Sequence, residues 1–214
     1  MEITPEIARI HAHICGDGSF YKVRERRSPK TLLNHKRVNI YRIEHVLEYY
    51  NECTELLSEF KNDMKVAFNR NISTNHNKIK VRGAKWIAEK LNLIGKNSYN
   101  WYIPEFIMKS PNNVINSWIR AFFDDEAYLH HSRKRILVKC MNKPGLIQIS
   151  ELLNRFCIRS KITGPNCDNS FYLVIYEDGL LVYKQNIGFL MKRKAELLDK
   201  LIEKMGREEK SGKL

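Results

Sequence analysis

The sequence predicts an α+β fold assembled from two successive copies of one unit: helix, strand, strand, helix, strand, strand, helix. Three observations predict it. Apolar residues recur at helical spacing in some segments and at every second residue in others. The order of these segments in the first half returns in the second. Both halves open on a residue suited to capping a helix followed by proline, Thr4-Pro5 and Ser110-Pro111.

The opening helix ends in ICGDGSF, which leaves Asp17 between two glycines. SFYKVRERR then alternates, with Tyr21 and Val23 expected inward and Lys22, Arg24 and Arg26 outward. KRVNIY does the same, with Val38 and Ile40 inward and Arg37, Asn39 and Tyr41 outward. From Glu44 the acids recur as Glu48, Glu52, Glu55, Glu59 and Asp63, at spacings of 4, 4, 3, 4 and 4. Val46, Leu47, Tyr50, Cys53, Leu57 and Phe60 lie between them, the pattern of an amphipathic helix with a solvated acidic stripe. KVAFNR and NKIKVR are expected as strands, the second setting Lys78, Lys80 and Arg82 opposite Ile79 and Val81. GAKWIAEKLNL closes the first unit as a helix.

The linker expected at 99–110 carries aromatic and isoleucine residues and should pack rather than flex. The second unit, 111–206, starts with the helix NNVINSWIRAFFDDEAYL and runs through the strands YLHHSR and KRILVKCMN, which carry Arg135 and Lys139. PGLIQISELLNRFCI is expected as a helix, KITG and SFYLVIY as strands, and EDGLLVYKQNIGF and MKRKAELLDKLIEKM as helices. Residues 1–98 form the first unit on this reading, and 207–214 a disordered tail.

Composition limits what the protein does. Five cysteines with no CxxC spacing give no support to a zinc site or a disulfide framework, and free intracellular thiols are the expectation. No run approaches the roughly 18 apolar residues of a membrane span, and MEITPEIARI lacks the pattern of a signal peptide. The net charge of +13 calls for a polyanionic partner if it is clustered. On the assignment above it is clustered: strands hold the cations and the helix holds the acids. A sheet with one face on a helical core and the other turned to phosphates would be built this way. Arg24, Arg26, Arg37 and Asn39 suit base edges, and Lys22, Lys78 and Lys80 suit phosphates as well.

Aligning the two opening helices places Asp17-Gly18 against Glu126-Ala127, 126 − 17 = 109 positions apart. Ala12, Gly16 and Ala121 would let the two helix backbones approach. Packed side by side, the helices would bring Asp17 and Glu126 together at their ends. Two carboxylates held together against their repulsion imply a divalent cation.

At ICGDGSF, IRAFFDDEAYL, the YIPEFI segment and the NIGFLMKRKAELL ending, nearly the whole chain resembles the LAGLIDADG homing endonucleases in their single-chain, two-repeat form. The resemblance implies αββαββα repeats with the two motif helices at the centre and two four-stranded sheets forming a saddle over double-stranded DNA. It implies that Asp17 and Glu126 hold Mg²⁺, with Mn²⁺ able to substitute, helped by backbone carbonyls at Gly16 and Asp125. It implies hydrolysis of both strands to leave short 3′ overhangs, by a monomer on a long asymmetric site. Lys36 or Arg37 and Lys139 would orient water from the second strand of each repeat. Tyr41, Arg82 and Arg135 join the expected DNA contacts. The alternatives are an intron RNA maturase and a non-catalytic DNA-binding protein of the same shape. A free-standing, intron-encoded, intracellular protein is the expected setting, because no splicing-domain ends are visible, and an endonuclease domain cut out of an intein is the alternative. Asp125 and Ala127 depart from the usual DAEG motif. Asp125 is expected to face solvent or crowd the metal, and Ala127 to incur a cost if a positive φ is required. His11 and His13 are expected to pack or hydrogen-bond rather than ligate.

Overall fold

The computed structural model describes residues 2–26 and 40–211, with side chains through residue 207. Helix α1 (Pro5–Cys15) leads into strands β1 (Gly18–Arg26) and β2 (Tyr41–Tyr50), then α2 (Thr54–Phe68), β3 (Thr74–Asn75), β4 (Lys78–Arg82) and α3 (Lys85–Lys90). After the short α4 (Glu105–Met108), the order starts again: α5 (Asn112–Glu126), β5 (Ala127–His130), β6 (Arg135–Cys140), α6 (Lys143–Asn154), β7 (Ser160–Thr163), β8 (Phe171–Ile175), α7 (Glu177–Asn186) and α8 (Lys192–Ser211). Each half folds its strands into one antiparallel sheet of the same order, β1-β2-β4-β3 and β5-β6-β8-β7. The α+β class and the repeated unit are as the sequence predicts.

Helices α1 and α5 pack against each other at the centre. Ala12 and Ala121 are fully buried between them, as are Ile10, Trp118 and Ile119. At the end of α1 a Cβ on Gly16 would stand 3.0 Å from the Asp125 Cβ, and one on Gly18 would stand 2.5 Å from the Ile14 Cα. The glycines of the first motif are therefore demanded by close approach. Ala127 has φ −81 and ψ 144, ordinary extended backbone, so the expected cost of replacing glycine there does not arise. The 99–110 linker packs, with Trp101, Ile103 and Ile107 buried. Gln148 brackets Ile103, accepting from its N–H at 2.8 Å and donating to its carbonyl at 2.9 Å.

Four expectations are corrected. Residues 41–50 form β2, so Glu44 and Glu48 stand on a strand, and the helix starts only at Thr54. Residues 65–68 of KVAFNR belong to the end of that helix. The acidic stripe of α2 is solvated only at its start: Glu55 is exposed, Glu59 is half-buried and Asp63 is fully buried, with Arg9 donating to it at 2.8 and 2.6 Å. The last helix runs to Ser211, past the 206 boundary and into the expected tail.

The faces of the first sheet also differ from expectation. Phe20 pairs with Leu47, and Leu47 with Val81, which fixes the core side. By alternation Lys22, Arg24 and Arg26 share that side, beyond the reach of the helices, where Arg24 lies 4.3 Å from the Tyr41 ring centroid. Tyr21 and Val23 face outward. The Tyr21 hydroxyl donates to Glu48 at 2.7 Å, on the same face as Lys78 and Lys80.

Candidate metal centre

The ends of α1 and α5 meet where the two sheets begin, and there three acids gather. Asp17, Asp125 and Glu126 line one cleft of about 580 Å³, together with Tyr50, Asn51 and Lys194. Asp17 and Glu126 come from different repeats. The Asp17 carboxyl is pushed up to about 6 by burial, then by the Asp125 charge. Burial, then the Asp17 charge, raises Glu126 to about 7. Each acid is thus held where ionisation is opposed, and a cation in the cleft would relieve both.

Of the two outcomes its departure from the usual motif suggested, Asp125 does not face solvent; it lines the cleft, and its charge raises both Asp17 and Glu126. Its carboxylate is fully buried and accepts three bonds: from His13 Nδ1 at 2.8 Å, the Tyr49 hydroxyl at 2.8 Å and Asn51 Nδ2 at 3.1 Å. Those donors make a buried acid tolerable. What remains to Asp125 as a metal donor is its backbone carbonyl, the group the resemblance assigns to it and to Gly16. Burial would lower His13, but the charge and hydrogen bond of Asp125 raise it to about 9, so at neutral pH it is a cation. Its Nε2 stands 3.6 Å from Glu59, too long for a hydrogen bond, so Glu59 acts on it by charge. Arg120 joins the same network, donating to Glu59 at 2.7 and 2.6 Å and to Asp124 at 3.1 Å. His11 is buried and accepts from the Trp118 indole at 3.0 Å, so neither histidine of α1 is free to ligate.

Lys194, from α8, is buried at the cleft and donates to the carbonyls of Phe123 at 3.0 Å and Asp124 at 2.5 Å. Burial lowers its pKa, against the pull of Asp124, Asp125, Asp17 and Glu126. It binds the last turn of α5 and brings positive charge to the acids. Sequence reasoning did not single out Lys194, Asn51 or Tyr49; their roles arise from contacts between elements far apart in the chain.

Among the described residues no group of three or more His, Cys, Asp or Glu side chains forms a metal cage. The donor set is two carboxylates. That fits Mg²⁺, a hard cation that keeps several waters and takes one or two carboxylates plus substrate phosphates.

The expected DNA contacts divide. Lys78 and Lys80 stand 2.9 and 3.1 Å from Glu48, and Arg82 pairs with Glu25, so the outer face of the first sheet mixes signs. Lys22, Arg24, Arg26 and Tyr41 are exposed on the opposite face, at the far end of β1 and β2. On the second sheet Lys139 lines a cavity with Glu126 and is paired with Asp168 at 2.6 Å, while Arg135 lies 4.8 Å from the Tyr176 ring centroid. Lys36, Arg37 and Asn39 lie outside the described residues.

No family model matches the chain. Among curated proteins, it is 28% identical over 209 residues to a glutamine–fructose-6-phosphate aminotransferase of Methanocaldococcus jannaschii, covering 94% of this chain and 18% of that protein. It is 33% identical over 122 residues to a probable translation initiation factor IF-2 of the same organism, covering 54% of this chain and 10% of that protein. A polymerase subunit, Rpo1C, matches at 29% over 119 residues, 56% of this chain and 14% of the subunit. The chain thus spans less than a fifth of each of these relatives. Among solved structures, the homing endonuclease I-DmoI in complex with DNA and Ca superposes with a TM-score of 0.65 at 16% identity, covering 94% of this chain and all of that one. I-DmoI with DNA and Mn gives 0.61 at 17% identity, covering 86% and 97%. The N-terminal LAGLIDADG domain of DUF199/WhiA gives 0.53 at 15% identity, covering 86% and 82%.

Proposed function

We propose that this chain, which has the LAGLIDADG fold in its single-chain, two-repeat form, is a site-specific double-strand DNA endonuclease that works with Mg²⁺ as a monomer. The convergence of Asp17 and Glu126, one from each repeat, on a shared cleft carries this reading. Asp17 and Glu126 would hold the metal, which when bound stabilises charge on the attacking and leaving oxygens of the scissile phosphates. Asp125, locked to His13, Tyr49 and Asn51, holds the two motif helices in register so that both carboxylates reach the cleft. Lys139 stands beside Glu126, where its ammonium can exchange Asp168 for a phosphate or a water.

None of the curated relatives' activities is proposed for this chain. An aminotransferase, an initiation factor and a polymerase subunit share no chemistry, and the matched stretch is a minor part of each. A segment common to such unrelated proteins behaves as an insertion that has entered each of them, and spreading by insertion at a cut site is what a homing endonuclease does. This favours a setting inside a host protein's gene over the intron-encoded one expected from the chain ends.

The test is to join the DNA flanking the inserted sequence as if it were absent and incubate it with the protein and Mg²⁺. The expected product is a double-strand break with short 3′ overhangs. Tight binding of that DNA without a cut would mean a non-catalytic DNA-binding protein; preference for RNA transcribed from the inserted sequence would mean a maturase.

A further inference from the structure

We propose that Asn51 is a positioning residue that sets the Asp17 carboxylate for metal, an inference that rests on the metal-centre reading above. Asn51 follows β2 directly and is 7% exposed. Its Nδ2 donates to Asp17 Oδ2 at 2.9 Å and to Asp125 Oδ1 at 3.1 Å. Its Oδ1 accepts the Cys53 N–H at 2.9 Å, which settles the end of the amide that points at the acids. One side chain therefore spans the ends of both central helices. Asp17 Oδ2 is engaged, and among the described residues no side chain bonds Oδ1, while Asp17 itself lines the cleft.

The repeat symmetry shows that this arrangement belongs to one half only. Gly18 pairs with Tyr49, and Ala127 with Val138. Two residues further along each strand, Asn51 corresponds to Cys140. Cys140 lines a cavity together with Glu126. A thiol is a poor donor where a carboxamide is a good one. No side-chain hydrogen bond acts on Glu126 among the described residues. The centre thus pairs one pre-set carboxylate, Asp17, with one that is free to turn, Glu126. Groups that orient a metal ligand from behind contribute roughly 10–100-fold in metal affinity.

Tb³⁺, an oxygen-seeking luminescent probe, tests this on the protein without DNA. Asn51→Leu should raise the Tb³⁺ concentration for half-saturation about tenfold or more, and raise the Mg²⁺ needed for half-maximal cutting in parallel. DNA binding in EDTA should not change. Gln148→Leu takes a buried amide from Ile103 and touches neither acid, and should leave Tb³⁺ half-saturation unchanged. Asn51→Ser, whose hydroxyl is too short to reach Asp17, serves if the leucine variant does not fold, with the same expected weakening. Unaltered Tb³⁺ affinity in the Asn51 variants, or equal weakening by Gln148→Leu, overturns the proposal. Wild-type Tb³⁺ binding that Asp17→Asn fails to weaken would instead overturn the metal-centre reading, and Asn51 with it.

Discussion

At the scale of single residues, the protein keeps two acids where folding alone would not place them. Glu126 has an ordinary value of 4.5 and is lifted to about 7 by burial and then by Asp17. Between those values the folded chain holds a proton that the unfolded chain has released. The metal-free protein therefore loses stability as pH rises through that window and regains none above it. Glu126→Gln removes the penalty. Its Tm at pH 8 without metal should exceed wild type by about 2–4 °C, the shift that about 1 kcal/mol gives in a domain of this size, and should match wild type at pH 4. An unchanged Tm at pH 8, read by calorimetry, would show that Glu126 is solvated and not part of a strained pair. The two motif acids were legible in the sequence because they recur at the same place in a repeated unit. Asp125 was legible as a departure but not in its role. Its partners His13, Tyr49 and Asn51 come from α1 and the end of β2, and only the helix crossing brings them to it.

At the scale of elements, the crossing of α1 and α5 is set by close contacts and buried charge. Gly16→Ala would press its Cβ onto Asp125 at 3.0 Å and should cost about 1–3 kcal/mol, read as a lower urea midpoint. Gly18→Ala meets the backbone of Ile14 at 2.5 Å and should cost more; a smaller loss than that of Gly16→Ala would mean the helix end relaxes freely. Asp63→Asn leaves Arg9 with only Glu59 and Glu6, and should cost about 3 kcal/mol, as removal of one partner from a buried pair does. A loss below about 1 kcal/mol would fit the surface pair that an acidic stripe suggests. That stripe was misread for a physical reason. Glu44 and Glu48 are four apart, a spacing that falls on one face of a helix and equally on one face of a strand. The residues between decide it: YRIEHVLEYY is rich in β-branched and aromatic side chains and forms a strand. Within α2, acid spacing gives periodicity but not direction, and the acid side turned out to meet Arg9 and Arg120.

At the scale of the whole molecule, the net charge of +13 does not sort by element. Glu48 sits between Lys78 and Lys80 on the outer face of the first sheet. Exposed pairs of this kind add little stability, but they hold cations back from phosphate. Glu48→Gln should tighten binding to DNA of any sequence, and Lys80→Ala should weaken it uniformly; equal, sequence-dependent changes would assign both residues to base readout instead. With about eight phosphate contacts, log affinity should fall against log salt with a slope of about −7. The overall charge and the repeat were readable from sequence because they are sums over many residues. The mixed sheet face was not, because strand register decides which side chains share it. The most direct test of the central claim is cutting of the joined flanking DNA by wild type, Asp17→Asn and Glu126→Gln, with binding measured alongside in Ca²⁺. One metal centre built from both repeats predicts that wild type breaks both strands, while each variant binds with wild-type affinity and loses the double-strand break. A double-strand break that survives in either variant would contradict it.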